Sequence, residues 1–137
     1  MSIIIDRLNK IKLNISKTKD ISSIKIVAVS KTFSLNHIMP LIDNGHEHFG
    51  ENKVQEADVK WQEIRKKNKN IKLHMIGKLQ SNKAKRAVDI FDYIHSLDSK
   101  KLADVLSKCQ NTINKSIKYF IQVNTGNEVQ KSGISYS

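Results

Sequence analysis

The stretch Ile26-Val27-Ala28-Val29-Ser30-Lys31-Thr32 decides the fold class of this chain. Its apolar residues are small or β-branched and follow one another without polar alternation, which is typical of a strand buried on both faces of a parallel sheet. The run ends at Lys31, at the carboxyl end of the predicted strand, where α/β folds carry their chemistry. From position alone, two interpretations of Lys31 stay open: a solvated lysine, or a partly desolvated amine that forms a Schiff base with an aldehyde.

Strand and helix patterns alternate along the chain on both sides of this stretch. Upstream, an amphipathic helix is predicted by apolar residues at helical spacing, namely Ile4, Leu8, Ile11 and Ile15. Downstream, strand-like segments cover residues 46–52, 71–77, 93–97 and 118–124, with a helical pattern between each pair. This alternation predicts parallel strands with right-handed crossovers. The expected organisation is a single domain over residues 1–137, with a helix and loop in residues 1–23 and βα units in residues 24–137.

Short polar residues mark where the helices should begin. The expected caps are Ser34 or Asn36 for the second helix, Ser81 for the fourth, and Asp98 or Ser99 for the fifth. Pro40 removes one backbone donor from the second helix, so a bend or a short first turn is expected there.

Two architectures fit this alternation: an open doubly wound sheet, or part of a (β/α)8 barrel. The first strand is not followed by Gly-x-Gly-x-x-Gly, and the sequence contains no Gly-Lys-Ser/Thr phosphate loop. A nucleotide-binding open sheet is therefore disfavoured.

The composition is basic, with 24 Lys and Arg against 13 Asp and Glu, for a formal charge of +11. The charge is nearly all lysine scattered along the chain, and the aromatic residues are sparse, so no stacking platform for nucleic acid is predicted. We expect no specific nucleic-acid partner, only salt-sensitive adsorption to polyanions. No apolar stretch is long enough to span a bilayer, and a cytoplasmic protein with no membrane partner is expected.

The sequence gives little indication of a metal site or a disulfide. Cys109 is the only cysteine, which excludes an intrachain disulfide and a cysteine metal cluster. His46 and His48 would share one strand face by alternation, but no third ligand accompanies them.

Four motifs follow one another in order, each at the end of a predicted strand. They are Ala28-Val29-Ser30-Lys31-Thr32, Phe49-Gly50-Glu51-Asn52-Lys53-Val54-Gln55-Glu56, His74-Met75-Ile76-Gly77-Lys78-Leu79-Gln80-Ser81-Asn82-Lys83, and Gln122-Val123-Asn124 with Lys131-Ser132-Gly133. Together they closely resemble the pyridoxal phosphate homeostasis proteins, the YggS/PROSC-like family, over residues 26–134. The resemblance implies the first five β/α units of a TIM-like (β/α)8 barrel of the alanine racemase N-terminal type.

The resemblance also implies a ligand and site residues. The ligand is pyridoxal 5′-phosphate (PLP), held as a Schiff base on Lys31 without catalytic turnover, with PLP-dependent apo-enzymes as recipients. Asn52 stands where the family places a side chain near the cofactor, although it could instead cap the helix that follows. His74 and Asn124 are candidates for lining the site at the mouths of the third and fifth strands. Lys131 is expected to be solvent-exposed rather than reactive.

The sequence departs from the family in length. Family members exceed 200 residues, and the glycine- and serine-rich segment that grips the phosphate would follow the fifth strand. Gly126 and Gly133 are isolated and offer no phosphate nest. We therefore expect either a fragment of a longer protein or weakened PLP affinity. Five barrel strands would also leave two open edges, so association or partial order of the isolated chain is expected.

Two other functional classes are alternatives to the carrier. A racemase-like PLP enzyme needs a second acid/base from another domain, and the residues around Lys31 lack the Lys-Ala-Asn-x-Tyr-Gly pattern. A non-binding fragment, or a basic protein that adsorbs nucleic acid, is the alternative from a different class.

Overall fold

The computed structural model describes residues 2–126 and 132–135, and its centre is a five-stranded parallel sheet. Its strands lie side by side in sequence order: β1 (Ala28–Val29), β2 (His48–Glu51), β3 (Lys72–Met75), β4 (Tyr93–Leu97) and β5 (Lys118–Ile121). A separate parallel pair follows, β6 (Val123–Asn124) with β7 (Ile134–Ser135). The predicted α/β class with five parallel strands is confirmed.

Helices connect the strands and cover one face of the sheet. They are α1 (Ile3–Ser16), α2 (Leu35–Asp43), α3 (Val54–Lys67), α4 (Ala84–Ile90) and α5 (Lys100–Asn111), with short 3-10 turns at Ile21–Ser23 and Ser81–Lys83. No helix in the described part of the chain combines the length and apolarity needed to cross a bilayer.

The two faces of the sheet differ sharply in burial. Alternate strand residues Phe49, Leu73 and Ile94 are fully buried on the face that the helices cover, where Trp61 of α3 joins them. The opposite face corresponds to the interior of a barrel and is partly open, so that 51% of Val29 and 50% of Phe120 are exposed. The core of this chain therefore lies between sheet and helices.

Helix starts follow the predictions only in part. The Ser99 hydroxyl accepts a hydrogen bond from the Leu102 amide at 3.1 Å, so Ser99 rather than Asp98 caps α5. Ser34 occupies the N-cap position of α2, but its hydroxyl bonds to the His37 ring instead of a backbone amide. The expectation that Ser81 caps α4 was wrong, because Ser81 lies inside the preceding 3-10 turn.

Strand limits differ from the predictions for local reasons. The second strand begins at His48 and not at His46, because the His46 amide donates to Leu41 and closes the end of α2 after Gly45 at φ +86°. The predicted strand over residues 118–124 is broken at Gln122. The Gln122 amide donates to Leu97 of β4, while its carbonyl accepts from Ile134, so one residue joins the two sheets.

Candidate functional site

Lys31 lies at the carboxyl edge of the sheet, two residues after the end of β1. The register pairs Ala28 with Phe49 and Val29 with Gly50, and continuing it by two residues sets Lys31 opposite Asn52. Because side chains alternate along a strand, both residues belong to the face that the helices leave open. Lys31 is exposed, and Asn52 is half-buried.

The turn that carries Lys31 is held by several hydrogen bonds. The Ser30 amide donates to the Gly50 carbonyl at 2.9 Å, and the Phe33 amide donates to the Ser30 carbonyl at 3.2 Å. The Thr32 amide donates to a carboxylate oxygen of Glu56 at 3.3 Å. Thr32 has φ +65°, which is rare for a β-branched residue and persists only where the surroundings impose it. Lys31 therefore projects from a defined turn.

Asn52 lies between β2 and α3 and does not cap the helix. The N-cap position belongs to Lys53, so the capping interpretation of Asn52 was wrong. The Asn52 Oδ1 atom is buried and, among the described residues, has no hydrogen-bond partner. The end of β3 closes against it, because a Cβ built on Gly77 would lie 2.6 Å from the Asn52 Cβ. This buried acceptor is positioned by backbone packing.

A groove opens beside Asn52. Its volume is about 530 Å³, and its lining includes Asn52, Gly77 and three lysines, Lys53, Lys78 and Lys83. With the single acidic residue Glu56 also in the lining, the three lysines leave the groove with a net positive charge, which favours anionic ligands.

Glu51 forms a buried polar cluster that the sequence interpretation missed. Its side chain is fully buried, and its Oε2 atom accepts hydrogen bonds from Ser30 Oγ at 2.6 Å, Lys60 Nζ at 2.9 Å and Trp61 Nε1 at 3.1 Å. The sequence feature that could have indicated this cluster is an acidic residue within a strand motif, followed by Lys60 and Trp61 on the next helix.

His74 does not lie at the mouth of β3, as predicted, but within the strand. It pairs with Gly50 and Tyr93, two residues below the level of Lys31 and Asn52, and is 3% exposed. Its ring bonds to His48 at 2.9 Å and to His95 at 2.8 Å, and it stacks on Tyr93 with centroids 4.1 Å apart. These three residues were not predicted as its partners.

The histidine chain is held in its neutral form. Burial, followed by the neighbouring His95, His48 and Lys25, lowers the pKa of His74 to about 3. Burial also lowers the pKa of His48 and of His95. Neutral rings can donate at one nitrogen and accept at the other, which a continuous three-ring chain requires.

The remaining candidate residues are Asn124, Lys131 and the pair His46 and His48. Asn124 belongs to β6, beyond the break at Gln122, and not to the mouth of β5 as predicted. Lys131 lies outside the described residues. In residues 2–126 and 132–135, no three His, Cys, Asp or Glu side chains are grouped to hold a metal ion. The His46 Nε2–H donates to the His48 carbonyl at 2.9 Å.

The residues at this edge fit the aldehyde end of PLP. The exposed Lys31 stands at the register position opposite Asn52, whose buried amide oxygen lacks a partner in the described chain, so an amine and an acceptor are both supplied at this edge. A phosphate cradle is not seen among the described residues, where each glycine is isolated and none directly precedes a helix. The described residues therefore fit the aldehyde end of PLP but provide no site for its phosphate.

Comparison with known proteins identifies the family of this chain. Residues 7–137 match the alanine racemase N-terminal domain family. The pyridoxal phosphate homeostasis protein of Pasteurella multocida is 42% identical over 113 residues, covering 82% of this chain and 48% of the relative. The protein of the same name from Schizosaccharomyces pombe is 30% identical over 139 residues, covering 57% of the relative. The chain therefore spans about half the length of the curated relatives it matches.

Solved structures give the same result. PipY of Synechococcus elongatus without PLP superposes with a TM-score of 0.78 at 37% identity, covering 90% of this chain and 57% of PipY. The structure of PipY with PLP bound gives a TM-score of 0.76 at 36% identity, over 56% of that chain. With five parallel β/α units and a family match over residues 7–137, the chain belongs to the alanine racemase N-terminal domain family and, within it, to the pyridoxal phosphate homeostasis proteins.

Proposed function

We propose that this chain binds PLP through Lys31 and serves intracellular vitamin B6 homeostasis by holding the cofactor without turnover. The observation that carries the proposal is the Lys31 amine, exposed on a hydrogen-bonded turn opposite Asn52. The PLP-bound state of PipY, which is 36% identical to this chain, supports the same ligand class.

When bound, PLP supplies an aldehyde that condenses reversibly with a primary amine. The Lys31 Nζ atom would supply that amine, and one water would leave as the C=N bond forms, so no co-reactant would be needed. The Asn52 Oδ1 atom would offer a buried hydrogen-bond acceptor to the bound group. His74 contributes to the floor of the site from one level below, and Asn124 contributes from β6.

A carrier is favoured over an enzyme on chemical grounds. Racemisation requires a second acid/base on the opposite cofactor face. The relatives matched here are named as homeostasis proteins and not as enzymes. In this proposal, PLP-dependent apo-enzymes or free amines take the cofactor by exchanging their amine for that of Lys31.

The test is PLP addition, borohydride reduction and peptide mass mapping of the intact chain. We expect labelling to concentrate on Lys31 and to be lost in Lys31→Ala. Lys108→Ala is the matched control, because Lys108 is an exposed lysine near the end of α5 and outside the candidate site, and it should leave Lys31 labelling unchanged. The unmodified chain and the control variant should both keep their Lys31 labelling at high salt, since an imine bond survives salt whereas contacts with polyanions do not. Thin labelling over many lysines would contradict the proposal.

A further inference from the structure

We infer that Glu51 and Lys60 form a positioning pair for Lys31, an inference that rests on the proposed role of Lys31. Glu51 belongs to β2 and Lys60 to α3, and neither faces the open side of the sheet, where the amine lies. They act through Ser30, the residue that precedes Lys31.

Every polar atom of Ser30 is held in place. Its hydroxyl donates to Glu51 Oε2 at 2.6 Å, and its amide donates to Gly50 at 2.9 Å. Its carbonyl accepts from Lys60 Nζ at 2.5 Å and also from the Phe33 amide. Since Ser30 is 1% exposed, this residue can move little without breaking a buried hydrogen bond.

The pair also joins the two strands that carry the site. Lys60 Nζ reaches both the Ser30 carbonyl of the β1 end and the Glu51 carboxylate of β2, at 2.5 and 2.9 Å. The residue after Ser30 is Lys31, and the residue after Glu51 is Asn52. One ammonium group therefore ties the backbone before Lys31 to the side chain of the residue before Asn52.

Burial indicates that the pair does more than fill the core. The side chains of Lys60 and Glu51 are 9% and 0% exposed, and transferring such charges from water is costly. Apolar side chains of similar volume would satisfy packing at lower cost. Fixing the backbone before Lys31 is a purpose that apolar side chains could not serve, because they cannot bind a carbonyl.

The experiment measures the reactivity of each lysine in the intact chain without cofactor. Trace acetic anhydride labelling at several pH values, read by peptide mass spectrometry, gives the rate and titration midpoint for Lys31. Borohydride-trapped PLP labelling follows on the same proteins. The variants are Glu51→Gln, which keeps the side-chain volume, Lys60→Met, and the milder Ser30→Ala, which removes the hydroxyl bonded to Glu51. Arg86→Met is the control, because its ion pair with Asp58 also ties a residue of α3 but is exposed.

We expect Glu51→Gln and Lys60→Met to change Lys31 acetylation at least threefold or to move its midpoint, and to lower Lys31-specific PLP trapping about tenfold. Arg86→Met should leave both unchanged. Ser30→Ala should give a smaller change in the same direction while near-ultraviolet circular dichroism of Trp61 shows the fold intact. If any folded variant of the three keeps the Lys31 rate, midpoint and trapping of the unmodified chain, the positioning role is overturned. If instead the unmodified chain fails to trap PLP on Lys31, the proposed function fails, and the acetylation profiles still decide the positioning role.

Discussion

At the scale of single residues, Gly77 shows how an absent side chain builds the site. A Cβ at position 77 would lie 2.5 Å from the Asn52 carbonyl oxygen and 2.8 Å from its Cα, and neither backbone atom can yield easily. The end of β3 therefore packs against Asn52 only because residue 77 is glycine.

We expect Gly77→Ala to lower the free energy of unfolding by about 2–3 kcal/mol, because the added methyl overpacks a backbone contact. Urea denaturation measures this loss in the free energy of unfolding. Gly45→Ala is the matched control: nothing lies within 4 Å of its Cβ position, but φ is +86°. It should cost only about 1 kcal/mol from backbone strain. Equal losses for the two variants would show that crowding at Asn52 is not the cause.

His74 predicts a pH dependence of stability. Its folded pKa of about 3 lies below its ordinary value of 6.5, so the unfolded state binds protons first as the pH falls. The contribution of His74 to the free energy of unfolding should be fully present above about pH 6.5 and should be lost as the pH falls toward 3. At pH 5 the loss from this group should be roughly 2 kcal/mol. The charged and titratable groups that act on His74 are His95, His48 and Lys25, and those that act on its neighbour His48 are Glu47, Lys25, His46 and Lys72.

Urea denaturation between pH 7 and 5 tests this expectation. His74→Gln should flatten the decline, whereas His37→Gln, at an exposed position on α2, should leave it unchanged. A decline of the same size in His74→Gln would assign the pH dependence to other groups.

At the scale of elements, α5 depends on one capping hydroxyl. Ser99 Oγ accepts from the Leu102 amide, and Leu102 and Leu106 then bury one face of the helix against the core. Ser99→Ala should lower the free energy of unfolding by about 1 kcal/mol, because the amide loses its acceptor. Ser107→Ala, an exposed position in the same helix, should change stability by less than about 0.5 kcal/mol. Thermal denaturation separates the two, and equal shifts would rule out the cap as the source.

At the scale of the whole molecule, the sheet has two edge strands, β1 and β5, and a partly open face. Ile121 at the β5 edge is 66% exposed, and Phe120 beside it is 50% exposed. Unpaired edges with apolar side chains favour association. Sedimentation of the isolated chain should therefore show mass increasing with concentration.

Ile121→Lys should reduce that association, because a charge on an edge strand opposes pairing with another chain. Val59→Lys is the control, since Val59 is 82% exposed on α3, away from the sheet edge. A concentration-independent monomer with a sharp unfolding transition would contradict the expectation. Equal effects of the two substitutions would point to net charge instead of the edge.

The sequence by itself determined the order and type of the five helices and of the five strands in the central sheet, but not the additional pair β6 and β7. Continuous apolar runs and helical spacing predict strands and helices locally, and alternation of the two requires a parallel sheet. The position of Lys31 after β1 and a cap at Asp98 or Ser99 could be predicted for the same reason, because each depends on residues close in sequence. The four motifs added the family.

Only the tertiary structure decided which distant residues meet. Glu51 and Lys60 contact Ser30 across 21 and 30 positions, and His74 joins His48 and His95 across 26 and 21 positions. The break at Gln122 likewise depends on Leu97 and Ile134, which no local pattern around residue 122 reveals. Strand register and helix packing determine which polar side chains become partners, and both depend on the burial of residues that are distant in sequence. Their spacing in sequence carries no periodic signal.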